Sequence, residues 1–115
     1  RAAATLSGGS VTETSDRAAA TAGAHVIYAK EWGCTSAYGD NAADQALRQT
    51  LGDWQVNEAS FAAAATNAHF MHCLPARRNV AVADEVLDGP RSLVLREAYN
   101  RLVVQMAVLH RLLAR

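Results

Sequence analysis

His72-Cys73-Leu74-Pro75 is the stretch of this sequence richest in usable chemistry. It ends the apolar run Ala68 to Cys73, which reads as a buried strand breaking into a loop. A cysteine at such a break places a small thiol and a row of backbone carbonyls at a sheet edge. Pro75 fixes the direction in which the chain leaves. Those carbonyls can accept hydrogen bonds from an amine or amide ligand. Residue types alone leave a plainer reading open, with Cys73 an inert buried thiol and His72 a satisfied core histidine. A metal site built from Cys34, His69, His72 and Cys73 fits the residue types but not the spacing. His69 and His72 have opposite parity on a strand and point to opposite faces.

Lys30 ends the apolar run His25 to Ala29. An ammonium at the end of a strand can bind a carboxylate or phosphate as a point charge. It can equally be a solvated loop residue. Arg101 lies among apolar positions near the start of the last helical segment, and a guanidinium there can grip an anion with two hydrogen bonds. An ordinary helix-surface arginine is the alternative. Trp32, Tyr38 and Trp54 either wall a pocket or anchor the loop that carries them. Asp84 and Glu85 read as capping and solvating a short turn. The sequence contains no Walker A segment, no Gly-x-Gly-x-x-Gly and no Gly-x-Ser-x-Gly.

The elements that must hold these residues alternate between strand and helix. Ala2 to Leu6 reads as a helix tail stopped by Gly8 and Gly9. Ser10 to Thr14 alternates as a short strand. Ser15 or Asp16 caps an Ala-rich helix over Arg17 to Ala22, ended by Gly23. His25 to Ala29 is a buried parallel strand. Lys30 to Asp53 reads as a long loop with one helical turn at Ala42 to Gln49, and loops of that length are usually functional or mobile. Asn57 caps a helix from Glu58 to Thr66. A turn at Asp84 to Leu87 and a third strand at Ser92 to Leu95 follow. Arg96 to Arg115 is the clearest helix, with Ala98, Leu102, Met106, Leu109 and Leu113 on one face. Val103, Val104, Ala107 and Val108 widen that face, so the helix needs partners on more than one side. The expected fold is α/β: a parallel sheet flanked by helices, in one domain over residues 1–115, ending in a long helix. Ligands of such sheets bind at the C-terminal strand ends. Here those ends carry Tyr28-Ala29-Lys30 and His72-Cys73-Leu74-Pro75.

Composition bounds the rest. The chain has 115 residues, half of them apolar, with a formal net charge of zero. A neutral chain casts no broad field toward nucleic acid or an anionic membrane. Arg96, Arg101, Arg111 and Arg115 are spread along a helix among Leu and Val, which is no nucleic-acid stripe. Two cysteines make no disulfide scaffold, and a reducing cytoplasm is the simplest compartment. No apolar run reaches the roughly 20 residues of a membrane span. Arg1 followed by three alanines makes no signal peptide. The absence of an initiator Met suggests that the chain begins inside a longer protein.

Phe70-Met71-His72-Cys73-Leu74-Pro75-Ala76-Arg77-Arg78-Asn79, then Asp84-Glu85-Val86 and Ala98-Tyr99-Asn100-Arg101, resembles the C-terminal signature of the ornithine-type transcarbamylases. The resemblance extends upstream through Gly8-Gly9-Ser10-Val11-Thr12 and the strand ending in Tyr28, and it covers nearly the whole chain. It implies transfer of a carbamoyl group from carbamoyl phosphate to the side-chain amine of an ornithine, with no metal or organic cofactor. On that resemblance the backbone at Cys73 and Leu74 carries the catalytic contacts. Lys30, His72, Cys73, Leu74 and Arg101 bind substrate, with Arg101 on carbamoyl phosphate. Tyr28-Ala29-Lys30-Glu31-Trp32 looks like the N-acetylornithine and N-succinylornithine enzymes of the family, where the lysine takes the substrate α-carboxylate. Acylation removes the α-ammonium charge, so a cation for the carboxylate keeps its purpose while an acid for the amine loses it.

Ala81 stands where the acetylornithine type can carry a lysine, which leans toward the succinyl type. Tyr99 stands where the family commonly has Glu. The family's Ser-x-Arg-Thr and His-Pro-x-Gln segments, which belong to its N-terminal carbamoyl-phosphate domain, are absent from the sequence. The implied partners are that missing domain and two further copies in a trimer, and the chain alone is expected to be inactive. An ordinary ornithine carbamoyltransferase, or a non-catalytic α/β binding module, are the alternative readings.

Overall fold

A computed structural model of the chain describes residues 2–114; Arg1 and Arg115 lie outside it. Seven regular elements follow one another: α1 (Ala2–Leu6), α2 (Arg17–Thr21), β1 (Val26–Ala29), α3 (Asn41–Thr50), β2 (His69–His72), α4 (Asp84–Leu87) and α5 (Val94–Leu113). β1 and β2 pair in parallel, with Val26 opposite His69 and Ala29 opposite His72. The connection between them runs through α3 and 3-10 turns at Gly52–Trp54 and Glu58–Phe61. Parallel strands need such a crossover, because their ends lie at opposite edges of the sheet.

Apolar side chains from both strands and the segments packed on them make the core. Ile27, Phe61, Ala68, Phe70, Val82, Val86 and Val94 form one buried cluster, with Ala29, Val56, Leu74 and Leu87 packed against it. Phe70 is the hub. Its backbone N–H donates to Arg91 O at 2.8 Å, and its carbonyl accepts from Leu93 N–H at 2.9 Å. The expected third strand at Ser92 to Leu95 is therefore a single bridge, Phe70 to Ser92. It stops there because Val94 already opens α5.

Three other expectations change. Ser10 to Thr14 forms no strand, and it has no ladder partner among the described residues. A strand without a neighbour leaves its backbone groups unpaired, so alternation alone does not make one. The helix expected over Glu58 to Thr66 is a 3-10 turn over Glu58–Phe61, closed by a reciprocal pair between Asn57 and Ser60. The single turn expected inside the Lys30 to Asp53 loop is a full helix, Asn41–Thr50. Asp40 caps it by accepting from the N–H groups of Ala42 and Ala43.

α5 begins in the core and leaves it. Val94 is its one buried residue, while Leu102, Val103, Val104, Met106, Val108, Leu109 and Leu112 are exposed. A compact chain of this length has a radius of gyration of about 13 Å, whereas this one measures 17.1 Å. The helix stands off the body with its broad apolar face uncovered.

Candidate acceptor site

The sheet register sets the site. Ala29 and His72 are paired partners at the ends of their strands. Lys30 and Cys73 are the next residues, so they leave the sheet side by side. Neighbouring strands lie about 4.8 Å apart, which places an ammonium-bearing residue and the Cys73-Leu74 backbone on one rim.

The Cys73 loop is held from inside. His72 is 1 % exposed, and its Nδ1 accepts the N–H of Leu74 at 3.0 Å. An accepting Nδ1 makes Nε2 the protonated nitrogen of the neutral ring. That Nε2 is buried and has no hydrogen-bond partner among the described residues. Leu74 takes a left-handed backbone, φ 49°, and the Leu74–Pro75 peptide is cis. A leucine in that region is uncommon and strained, and such residues cluster where backbone groups serve a ligand. Cys73 and Leu74 are half-buried, as a rim requires.

β1 delivers a second group to the same end. The Tyr28 hydroxyl donates to Glu97 Oε1 on α5 at 2.6 Å. This bond to the carboxylate, then desolvation, the Glu97 charge and the neighbouring Cys73, push the phenol up to about 12. The first turn of α5 is thereby tied to the strand end. Arg101 is exposed one helical turn beyond Glu97, on the same face of the helix.

Lys30 and Trp32 line a cavity of about 530 Å³ together with Tyr28, Trp54, Asn57 and Ala81. Trp54 also stacks under the Arg17 guanidinium, whose carbon is 5.9 Å from the ring centre. Tyr38, at 96 % exposed, is not among the residues lining this cavity. Ala81 is 2 % exposed, its carbonyl accepting from Val56 N–H at 3.0 Å. The position that departs from the acetylornithine pattern thus faces the same space as Lys30.

Glu31 turns the other way. Its Oε2 accepts the backbone N–H of Arg77 at 3.2 Å. Its Oε1 lies 3.6 Å from Arg77 Nε and 4.0 Å from Arg48 Nη1. Arg48 in turn donates to Asp44 from Nε at 2.7 Å and sits over Trp32. The Asp44 carboxyl is held low by the Cys34 N–H and by Arg48. Neither Glu31, Arg48 nor the Tyr28–Glu97 pair was identifiable as site structure from spacing. Each joins residues many positions apart, and only the fold brings them together. Among the described residues no group of His, Cys, Asp or Glu could hold a metal ion, and His69 is exposed where His72 is buried.

Residues 1–112 match the family described as aspartate/ornithine carbamoyltransferase, Asp/Orn binding domain. The chain belongs to that family. It is 46 % identical over 87 residues to the N-acetylornithine carbamoyltransferase of Xylella fastidiosa, covering 76 % of this chain and 26 % of that protein. It is 41 % identical over 112 residues to the ornithine carbamoyltransferase of Hyperthermus butylicus, covering 97 % of this chain and 35 % of that one. Another relative is named N-succinylornithine carbamoyltransferase. A solved variant of N-acetyl-L-ornithine transcarbamylase, complexed with carbamyl phosphate and N-succinyl-L-norvaline, superposes with a TM-score of 0.82 at 39 % identity. It covers 95 % of this chain and 32 % of that one. The chain thus spans about a quarter to a third of the proteins it matches. The expected α/β fold with its long C-terminal helix is the fold of these neighbours. No described helix is long and apolar enough to cross a membrane.

Proposed function

We propose that this chain is the acceptor-binding part of a carbamoyltransferase that modifies an N-acylated ornithine. The side-chain amine attacks the carbamoyl carbon of carbamoyl phosphate. A C–N bond forms, the C–O bond to phosphate breaks, and phosphate leaves with the amine proton. The observation that carries the reading is the shared rim of Lys30 and Cys73-Leu74. An ornithine derivative has a carboxylate at one end and a reacting amine at the other. Lys30 takes the carboxylate, and the Cys73 and Leu74 carbonyls orient the amine. His72 holds the loop from beneath through Leu74 N–H. Arg101 contacts the phosphate donor. Catalysis then rests on positioning and on charge stabilisation around the tetrahedral centre.

Free ornithine is the second reading, because relatives bear both names. It would keep an α-ammonium in need of an acid. The acid beside Lys30 is Glu31, which is engaged by Arg77 and near Arg48. That commitment favours the acylated acceptor. Ala81, small and facing the Lys30 cavity, leaves room for the larger succinyl group. The phosphate-binding half comes from another domain that α5 packs against, within a cytoplasmic homotrimer, and the uncovered face of α5 fits that role.

The test is carbamoyl transfer to ornithine, N-acetylornithine and N-succinylornithine, in a full-length carbamoyltransferase carrying this chain as its acceptor domain. An acylated acceptor is preferred, and Lys30→Ala raises its KM about tenfold or more, the loss expected for a hydrogen bond to a charged group. Preference for free ornithine, or an unchanged KM, defeats the acyl assignment.

A further inference from the structure

Glu31 occupies a position that no transfer step uses. It follows Lys30 directly, yet its carboxylate reaches across to the segment behind Leu74 and Pro75. One oxygen accepts the Arg77 backbone N–H at 3.2 Å. The other is buried without a hydrogen bond, 3.6 Å from Arg77 Nε and 4.0 Å from Arg48 Nη1. Arg48 Nη1 is likewise buried and has no hydrogen-bond partner among the described residues, only the Glu31 charge at 4.0 Å. Its side chain is 14 % exposed and that of Glu31 is 29 %. The Arg48 guanidinium at that depth is screened less than a surface partner, whereas the Arg77 side chain is 52 % exposed and holds Glu31 chiefly through its backbone N–H. Three segments therefore meet at one acid: the exit of β1, helix α3 through Arg48, and the loop leaving β2 through Arg77.

The contact has a metric consequence. Lys30 and the Cys73-Leu74 backbone hold opposite ends of the acceptor. The distance between them must match the number of methylenes separating carboxylate from amine. The sheet fixes that distance as far as Ala29 and His72. Beyond those residues His72 holds the Cys73 loop to its own strand, and a bridge between the two loops ties that loop to the one carrying Lys30. Glu31, one residue past Lys30, bonds to Arg77, three residues past Leu74.

We infer that Glu31 is a positioning residue that braces the Lys30 loop against the Arg77 loop and so sets the chain length of the acceptor. The inference rests on the acceptor-site reading above. Loss of the brace lets the two loops drift apart, and an acceptor with one more methylene then gains on the natural one. Catalytic groups are untouched, so the specificity ratio moves more than the maximal rate does.

The experiment compares kcat/KM for two acceptors, an ornithine derivative and the lysine derivative one methylene longer. Both are used acylated and free, in the same full-length protein. In wild type the ornithine derivative wins by at least about tenfold, near the lower end of what one methylene is worth. Glu31→Ala lowers that ratio at least fivefold while kcat for ornithine length changes less than the ratio. Glu31→Gln still offers an oxygen to Arg77 N–H but loses the pull on both guanidinium groups, and it lowers the ratio about threefold. It serves as the test if the alanine variant does not fold. A ratio unchanged within twofold in a folded variant overturns the brace. If wild type prefers free acceptors, the acyl assignment falls, and the brace is judged on the free pair. Transfer to neither series overturns both.

Discussion

Tyr28 and Glu97 stand 69 residues apart in sequence and share a hydrogen bond of 2.6 Å. It links strand β1 to helix α5, and it anchors the helix at the end where the helix still touches the core. Beyond Glu97 the helix carries Arg101 and then its uncovered apolar face. The orientation of Arg101 relative to the Cys73 rim thus depends on a phenol and a carboxylate outside the His-Cys-Leu-Pro segment.

That bond predicts a specific alkaline signature. The Tyr28 phenol is raised to about 12 by its bond to Glu97 and by the nearby charge. An unfolded phenol titrates near 10. The stabilising contribution is therefore complete below about pH 10 and is lost as pH climbs through about 12. Ultraviolet titration of tyrosinate should show one late step near 12 that Tyr28→Phe removes. The variant should also melt a few degrees lower at neutral pH, and converge with wild type above pH 12. A single tyrosine step near 10 for all three phenols would refute the pairing.

The acid side has its own reporter. Arg78 Nη1 donates to Asp84 at 2.7 Å and to Asp88 at 2.6 Å, and Nη2 reaches Asp88 at 2.8 Å. Both carboxyls are held below the usual range, first by the Arg78 hydrogen bonds, and the guanidinium is raised in turn. Depressed carboxyls contribute stability above their unfolded values near 3.9, and lose it as pH falls through the folded values. Arg78→Gln should melt lower than wild type at pH 7, with the gap closing below pH 4. The side chains are half exposed, so the effect should shrink in high salt. A gap that persists at pH 2 would contradict the assignment.

Much of this architecture was legible before the structure. The runs His25 to Ala29 and Ala68 to Cys73 are continuous and apolar, and they became the two paired strands. The repeat of Ala98, Leu102, Met106 and Leu109 marked α5. The elements that differ do so for separate reasons. Ser10 to Thr14 alternates like a strand, yet a strand needs a neighbour, and the described residues supply none. Asn41–Thr50 was underestimated because its apolar content is low, while its stability comes from the Asp40 cap and the Asp44–Arg48 pair. The site divided in the same way. Lys30, Cys73 and Leu74 sit at strand ends, where position in the chain predicts position in space. Glu31, Arg48 and Glu97 act across the fold, and nothing in their spacing declares their partners.

Gly89 predicts a packing effect. A Cβ at this position would fall on the Glu85 carbonyl oxygen, which belongs to the α4 backbone and cannot swing aside. Gly89→Ala should cost about 1–3 kcal/mol, the range for forcing atoms into filled space. In a small domain that lowers the melting midpoint by about 4–8 °C per kcal/mol. Gly39→Ala makes the comparison informative, since a Cβ there meets nothing within 4 Å. Its penalty arises from φ 87° alone. Calorimetry should rank Gly89→Ala as the more destabilising. The reverse order would mean that α4 yields easily.

Leu74 offers a sharper separation of backbone from side chain. Its φ of 49° is a region that suits glycine, while its side chain packs against the core cluster. Alanine and glycine both forfeit that packing. Alanine retains the left-handed penalty of roughly 1–2 kcal/mol, which glycine escapes. Glycine gives back about 0.5–1 kcal/mol through the freedom of its unfolded chain. Leu74→Gly should therefore be the more stable of the two by up to about 1.5 kcal/mol, against the usual order for these residues. Neither change deletes a carbonyl, so a backbone role at the acceptor rim predicts more than stability. In the full-length protein Leu74→Ala keeps the constrained backbone and should keep the KM for acceptor within a few fold. Leu74→Gly, although better folded, loosens the rim and should raise that KM further. Stability and acceptor binding would then move in opposite directions between two variants at one position. Parallel movement of the two would mean that the constrained Leu74 backbone is not what holds the acceptor.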